Sequence, residues 1–357
     1  MARNITVGID IGTYQVKVVV AETVKEKNGN ITRIIGTGLT ESKGLRHGYI
    51  INNKDVTECV RTAVGLAEKT SGIKIHKAFV AVGGIGLSGV TSTASTVISR
   101  ADLEITDLDI TKVSELCEHD LPVASIQNRR ILHSIPMSYK IDGKVVLAKT
   151  PEGMRGSKLE VKMLFITFLE AHLNDITEAV EEANVEVIDC LASPIAASFV
   201  TLSKQQKMAG CVLANIGAET ISIVVFENNI PISLEIFPIG GTDITNDIAL
   251  GLKIPLEEAE SIKIGNSSMN SLSKKKLDEI INARLSDMFE LIENHLKKIG
   301  RSGLLPAGIF ITGGSSNIGT IEDFAKIVLQ LPSRIASLTG EQKNRIKDST
   351  WATAYGL

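Results

Sequence analysis

No two cysteines lie close together in this sequence. Cys59, Cys117, Cys190 and Cys211 are scattered, which excludes the paired spacing of a zinc site or redox motif and leaves ordinary buried thiols. Long apolar runs are missing as well: none approaches the ~18 residues that cross a membrane, and Arg3, Asn4, Thr6 and Asp10 interrupt any secretion-signal core. A soluble, cytoplasmic chain is the expectation. Nor does one sign of charge dominate. With a formal net charge of −3, no global field draws the protein to nucleic acid, and no nucleic-acid partner is expected. Lys274-Lys275-Lys276 and Lys297-Lys298 fall near expected helix ends, where cations complement the dipole. Proline is sparse, at 9 residues, and 43% of the 357 residues are hydrophobic, which excludes a largely disordered chain and allows two to three domains with substantial cores.

What is present is a pattern written twice. Ile5, Val7, Ile9 and Ile11 alternate up to the turn Gly12-Thr13-Tyr14, and Val16, Val18 and Val20 alternate after it, the period of a β-hairpin. Past the middle, Cys211–Ile216 and Ile221–Phe226 flank Gly217-Ala218-Glu219-Thr220 in the same way. Glycine in such a turn lets bare backbone N–H groups approach an anion, and threonine hydroxyls add donors. One such turn is most often only a turn; two facing ones suit a polyphosphate. Gly313-Gly314-Ser315, between an expected buried strand Gly308–Thr312 and a helix 321–331, adds a third place where N–H groups and a helix dipole favour phosphate and small residues admit a flat ring. Glu260 and Lys263, three apart on one helical face, suit ribose hydroxyls, the plainer alternative being an exposed ion pair.

Between these motifs the pattern alternates strand and helix. A third strand is expected over 31–39, then a helix with Val56, Cys59, Val60, Ala63, Val64 and Ala67 on one face, then a strand at 78–82. After Gly83-Gly84-Ile85-Gly86 the texture changes. Strands at 90–98, 131–141, 144–148 and 159–168 with a helix at 106–121 read as a small α+β module inserted into the main fold. The main fold resumes with a helix capped by Asn174 or Asp175, a strand at 185–190 and a helix opened by Ser193-Pro194. A strand over 230–239, helix from Gly240-Gly241 to about Ile264, and a long amphipathic helix through Leu277, Ile280, Ile281, Leu285, Met288, Ile292 and Leu296 follow. Two similar halves of hairpins and crossing helices make an α/β fold with a cleft between lobes.

The order Asp10-Ile11-Gly12-Thr13, insertion after Gly83, Asn215-Ile216-Gly217-Ala218-Glu219-Thr220, Glu260-x-x-Lys263, Thr312-Gly313-Gly314 and closing Ala352-Thr353-Ala354-Tyr355-Gly356-Leu357 resembles the actin/Hsp70/sugar-kinase ATPase superfamily. Gly36-Thr37-Gly38 through Gly44-Leu45-Arg46-His47-Gly48-Tyr49-Ile50, and Arg129–Pro136 with Gly153-Met154-Arg155-Gly156, resemble the FtsA family of bacterial cell-division proteins within it, essentially over the whole chain. The resemblance implies an actin-like two-lobed ATPase fold with duplicated subdomains and a small α+β insertion in the first lobe. Its parts would be 1–86 and 168–205 (first-lobe core), 87–167 (insertion), 206–240 and 300–340 (second-lobe core), 241–299 (second-lobe small subdomain) and 341–357 (return to the first lobe).

Carried over residue by residue, the resemblance implies that Asp10 organises the water shell of Mg2+ and Gly12, Thr13 and Tyr14, with Lys17, form the first phosphate loop. Gly217, Ala218, Glu219 and Thr220 would form the second, Gly240 and Gly241 approach the sugar-phosphate, Glu260 and Lys263 the ribose, and Gly313, Gly314, Ser315 and Asn317 the adenosine of ATP. It further implies head-to-tail self-assembly through the insertion, FtsZ as partner, and a place at the inner face of the membrane at the division site. Members continue with a linker and an amphipathic membrane-binding helix; Leu357 is the last residue here. The stretch between Ile264 and Leu277, in the subdomain where the family meets FtsZ, is short for the family.

One departure bears on chemistry. Asn215 stands where the family usually has Asp, keeping hydrogen bonds but losing the charge that favours Mg2+ and base chemistry, and Ser193, ahead of Pro194, supplies no replacement. ATP binding with slow hydrolysis is the expectation. Other classes share parts of the pattern. A sugar kinase would need a positioned acid that no motif supplies. A PilM-like adaptor of pilus assembly would carry a similar insertion and capture a short peptide instead of FtsZ, and an Hsp70-like chaperone would need a substrate-binding β-domain.

Overall fold

The computed structural model describes residues 4–26, 29–265, 271–338 and 348–357. The chain opens as the expected antiparallel meander. β1 (Asn4–Ile11), β2 (Gln15–Glu26) and β3 (Gly29–Glu41) pair from Asn4↔Thr23 to Ile11↔Val16 and from Gln15↔Glu41 onward. Ile9, Val16, Val18 and Val20 are buried on the helix-covered face, so the alternation read from the sequence is the alternation that fixes the register. α1 (Asn53–Ser71) buries its whole expected stripe, Val56 to Ala67. It lies so close to β3 that a Cβ on Gly36 would sit 2.7 Å from the Ser71 nitrogen and one on Gly38 2.8 Å from that of Ala67. Across the same contact the Thr37 N–H donates to Thr70 Oγ1 (2.9 Å), whose hydroxyl donates to the Thr37 carbonyl (2.8 Å). The Gly36-Thr37-Gly38 triplet is therefore a packing requirement of helix on strand. β4 (Lys77–Val82) then runs parallel to β1.

After Gly84 the chain enters the inserted layer. β5 (Leu87–Val97), α2 (Asp107–His119), β6 (Arg129–Ile141) and β7 (Lys158–Leu169) form an antiparallel sheet in the order β5-β7-β6, with α2 over it. This layer has its own core, including Ile105, Val113, Cys117, Leu159 and Phe165. The strand expected over 144–148 is confined to Lys144–Val145, which pairs only with the hairpin end of β6, while Leu147 stands in solvent. α3 (Glu170–Glu182) begins directly at the end of β7, so the cap expected at Asn174 or Asp175 is a correction: both lie inside the helix, whose buried stripe starts at Leu173. The Glu170 N–H is held by the Asn128 carbonyl at 2.9 Å, a tertiary start that no local cap signals. β8 (Glu186–Ala192) completes a first sheet ordered β8-β4-β1-β2-β3, and α4 (Ser193–Thr201) follows with Pro194 in its first turn.

The second lobe repeats the plan. β9 (Cys211–Ile216), β10 (Ile221–Glu227) and β11 (Ile230–Phe237) form the meander. The helix expected unbroken from 241 to 264 is two, α5 (Gly241–Leu252) and α6 (Leu256–Lys263). Lys253 is left-handed (φ 57°), and Pro255 cannot continue the first helix. α7 (Ser271–Lys298) buries Ile281, Leu285, Met288, Ile292 and Leu296 as expected, and Phe289 besides. β12 (Gly308–Thr312), α8 (Ile321–Leu329) and β13 (Ser333–Ile335) close the lobe. α8 stops two residues short of the expected 331, at the left-handed Gln330. The sheet order is β13-β12-β9-β10-β11, the order of the first sheet repeated, with parallel pairing of β12 to β9 as of β4 to β1. A last turn of helix, Ala352–Gly356, packs on the first sheet, where Ala354 shares a cluster with Val19 and Ile34. Residues 341–347 of the expected return, and 266–270 of the short stretch before Leu277, lie outside the described residues.

Candidate functional site

The β1–β2 and β9–β10 turns face one another across a cleft of about 960 Å³. Of the residues singled out in the sequence, Asp10, Gly12, Thr13, Tyr14, Lys17, Asn215, Gly217, Ala218, Thr220, Gly241, Glu260, Lys263, Gly313, Gly314, Ser315 and Asn317 line it. Gly240 and Glu219 do not line it. Gly240 backs the second turn, where a Cβ would come 2.7 Å from the Glu219 nitrogen. Glu219 turns its carboxylate aside, accepting the His47 N–H at 2.5 Å.

Each turn is closed by one backbone bond, Gly12 N–H to the Gln15 carbonyl (3.1 Å) and Gly217 N–H to the Thr220 carbonyl (2.9 Å). Among the described residues, the N–H groups at the tips, those of Thr13, Tyr14, Ala218 and Glu219, have no protein acceptor. Of these residues, Thr13, Tyr14 and Ala218 line the cavity, and free N–H groups presented from both sides suit an anion. At the floor, Asp10 and Lys17 are cross-strand partners. Burial pushes the Asp10 carboxyl up to about 6, with the Lys17 charge working against it. Burial lowers the Lys17 ammonium, opposed by Asp10 and Asp348. Lys17 Nζ donates to the Thr350 carbonyl at 2.7 Å and lies 5.6 Å from the centre of the Trp351 ring.

At the other end, Glu260 and Lys263 are more than a surface pair. The Lys263 side chain is 11% exposed. It bonds Glu260 Oε2 (2.6 Å), Thr245 Oγ1 (2.8 Å) and the Gly241 carbonyl (3.0 Å), while the Thr245 hydroxyl donates to Glu260. Gly313 has φ 93° and faces the Asn215 amide so closely that only glycine fits. Ser315 Oγ donates to the Gly217 carbonyl at 3.3 Å, tying the third glycine turn to the second. Ser193, at the start of α4, lines the cleft beside Gly83. Sequence reasoning missed Thr245, Leu256 and Ile264 in the wall, and Asp348 and Thr350 at the floor. Thr245 falls one helical turn after Gly241 and was legible as such; Asp348 and Thr350 reach Lys17 only through the fold.

A duplicated hairpin-and-parallel-strand sheet, closing on a cleft walled by backbone donors, defines the actin-like class of two-lobed proteins. Comparison with known proteins agrees. The family model for Cell division protein FtsA matches residues 212–356, and that for the SHS2 domain inserted in FtsA matches 84–167. Cell division protein FtsA of Bacillus subtilis is 30% identical, covering 99% of this chain and 83% of its own, and that of Pseudomonas aeruginosa is 29% identical over 98% and 88%. This chain belongs to the FtsA family of cell-division proteins. Among solved structures, the PilM–PilN type IV pilus biogenesis complex is similar with a TM-score of 0.71 at 16% identity, covering 99% of this chain and 97% of that one. An MreB of Spiroplasma citri bound to ADP gives 0.55 at 12%, covering 99% and 94%. At those identities the structures speak for the shared actin fold alone.

Proposed function

We propose that this protein binds Mg2+-ATP in the cleft, hydrolyses it slowly, and uses the closed state to assemble head to tail, linking FtsZ filaments to the membrane surface at the division site. The observation that carries the nucleotide assignment is the pair of facing turns whose unsatisfied N–H groups at Thr13, Tyr14 and Ala218 belong to residues lining one cavity. Gly12 to Tyr14 and Gly217 to Thr220 hold the phosphates, with Lys17 below. Glu260, Lys263 and Thr245 take the ribose, Gly240 and Gly241 flank the sugar-phosphate from behind the second turn, and Gly313, Gly314, Ser315 and Asn317 carry the base. Among the described residues no three acidic, histidine or cysteine side chains cluster to hold a metal; Asp10 is the residue that would meet a Mg2+ ion, through its water shell. Mg2+ supplies neutralisation of phosphate charge.

Slow turnover follows from Asn215 and Ser193. An amide and a hydroxyl orient water but take no proton from it at neutral pH. Titration of ATP by calorimetry, with and without Mg2+, is expected to show micromolar binding that tightens with the metal; no heat in either condition discards the nucleotide assignment. Asn215→Asp is expected to raise phosphate release by about tenfold or more, and brisk release by the unaltered protein contradicts the slow-turnover assignment. Assembly, FtsZ and the membrane rest on family membership. The inserted layer carries exposed Val97, Leu103 and Leu108, apolar surface suited to the next subunit in an open, head-to-tail contact.

A further inference from the structure

Glu219 is an oddity in a phosphate loop: its carboxylate, aimed into the cleft, would repel the ligand that the loop's N–H groups attract. The structure turns it out. Its Oε2 accepts the His47 backbone N–H (2.5 Å), and its own backbone carbonyl faces His47 Nδ1 at 3.1 Å. A carbonyl only accepts, so Nδ1 carries the proton and donates. His47 belongs to the small hairpin Leu45–Arg46/Tyr49–Ile50 of the first lobe, so this two-point contact spans the two lobes.

The hairpin is built to hold that N–H in place. His47 and Gly48 are both left-handed (φ 49° and 84°), and Gly48 packs on Gly84, where a Cβ would sit 2.5 Å from the Gly84 Cα. The Ile85 N–H donates to the His47 carbonyl at 3.2 Å. One residue on, the Gly86 carbonyl accepts from Arg129 Nη2 (2.5 Å) and from the Leu169 N–H (3.2 Å), while Arg129 Nε donates to Thr167 Oγ1 (2.8 Å). Residues 84–86 and 167–169 are where the chain enters and leaves the inserted layer. A continuous set of bonds thus runs from the second phosphate loop through Glu219 and His47 to that neck.

We propose that His47 and Glu219 are positioning residues of the phosphate site: the clasp holds the anionic side chain out of the cleft and the second loop in its binding shape, and ties that loop to the neck of the inserted layer. The proposal rests on the nucleotide assignment above. Glu219→Gln and Glu219→Ala both remove the charge, but only Gln keeps an acceptor for the His47 N–H, so the difference between them isolates the clasp from the charge. ATP titrated with Mg2+ is expected to bind the Gln variant at least as tightly as the unaltered protein and the Ala variant about tenfold more weakly than the Gln variant. Hydrogen exchange at the His47 and Ile85 amides without nucleotide is expected to be faster in Ala than in Gln. Equal affinities of the two variants overturn the positioning role, as does equal exchange at His47. Failure of every form to bind ATP overturns the nucleotide assignment instead, and is distinct from failure of the clasp, in which all forms bind alike.

Discussion

Asp10 is a desolvated carboxyl that would serve a ligand at the expense of the empty protein. Its pKa rises from 3.8 to about 6 on burial, so the folded state holds the proton more tightly than the unfolded one. The stabilising contribution is therefore full below about pH 4 and is lost as pH rises through about 6. Nucleotide-free Asp10→Asn is expected to be more stable than the unaltered protein at pH 7 by about 3 kcal/mol, the gap closing towards pH 4, as read by thermal unfolding across that range. With Mg2+-ATP the order is expected to reverse, because the amide no longer orders the metal's water. The same stability in both proteins at pH 7 would sink this account. Asp10 and Lys17 were legible as positions, yet their mutual burial was not. Their register places them opposite one another, but the groups that meet Lys17 from the far side, the Thr350 carbonyl and the Trp351 ring, lie more than three hundred residues away in sequence.

At the scale of elements, the close approach of α1 to β3 separates glycines by context. Gly38 meets the α1 backbone, whereas Gly65, on the outer face of α1, has nothing within 4 Å of a Cβ. Gly38→Ala is expected to cost about 1–3 kcal/mol by overpacking, while Gly65→Ala gains up to about 1 kcal/mol of helix propensity, both read as denaturant midpoints. A tolerated Gly38→Ala would mean that α1 slides freely on the sheet. The helices α1 and α7 were legible because one face of each is buried, and β1 and β2 because branched residues alternate along their helix-covered face. Boundaries failed where the deciding group was remote or ambiguous. The start of α3 is set by the Asn128 carbonyl, and the break before Pro255 is hidden because apolar spacing runs through it.

For the whole molecule, the two lobes meet at the cleft, so ligand that bridges them stabilises the entire fold. ATP at a hundredfold excess over its Kd is expected to add about 2.7 kcal/mol, seen as a concentration-dependent rise in Tm. Assembly is expected to separate from this. Leu108, 80% exposed on the inserted layer, lies away from the cleft, so Leu108→Asp should diminish sedimentable polymer while leaving ATP affinity within about twofold. Loss of both together would place the self-contact at the cleft.

By itself the sequence determined the duplicated plan, because alternation and glycine turns are local, and each half had to repeat them to build the same sheet. It also determined the neutral residues at 193 and 215, since their identity alone removes the carboxylate. Only the tertiary structure decided that Glu219 faces His47 and leaves the cleft, that Lys263 is a half-buried hub, and that Asp348 and Thr350 floor the site. Those facts depend on which distant backbone groups come within hydrogen-bond reach, and no local period encodes a contact between residues 47 and 219.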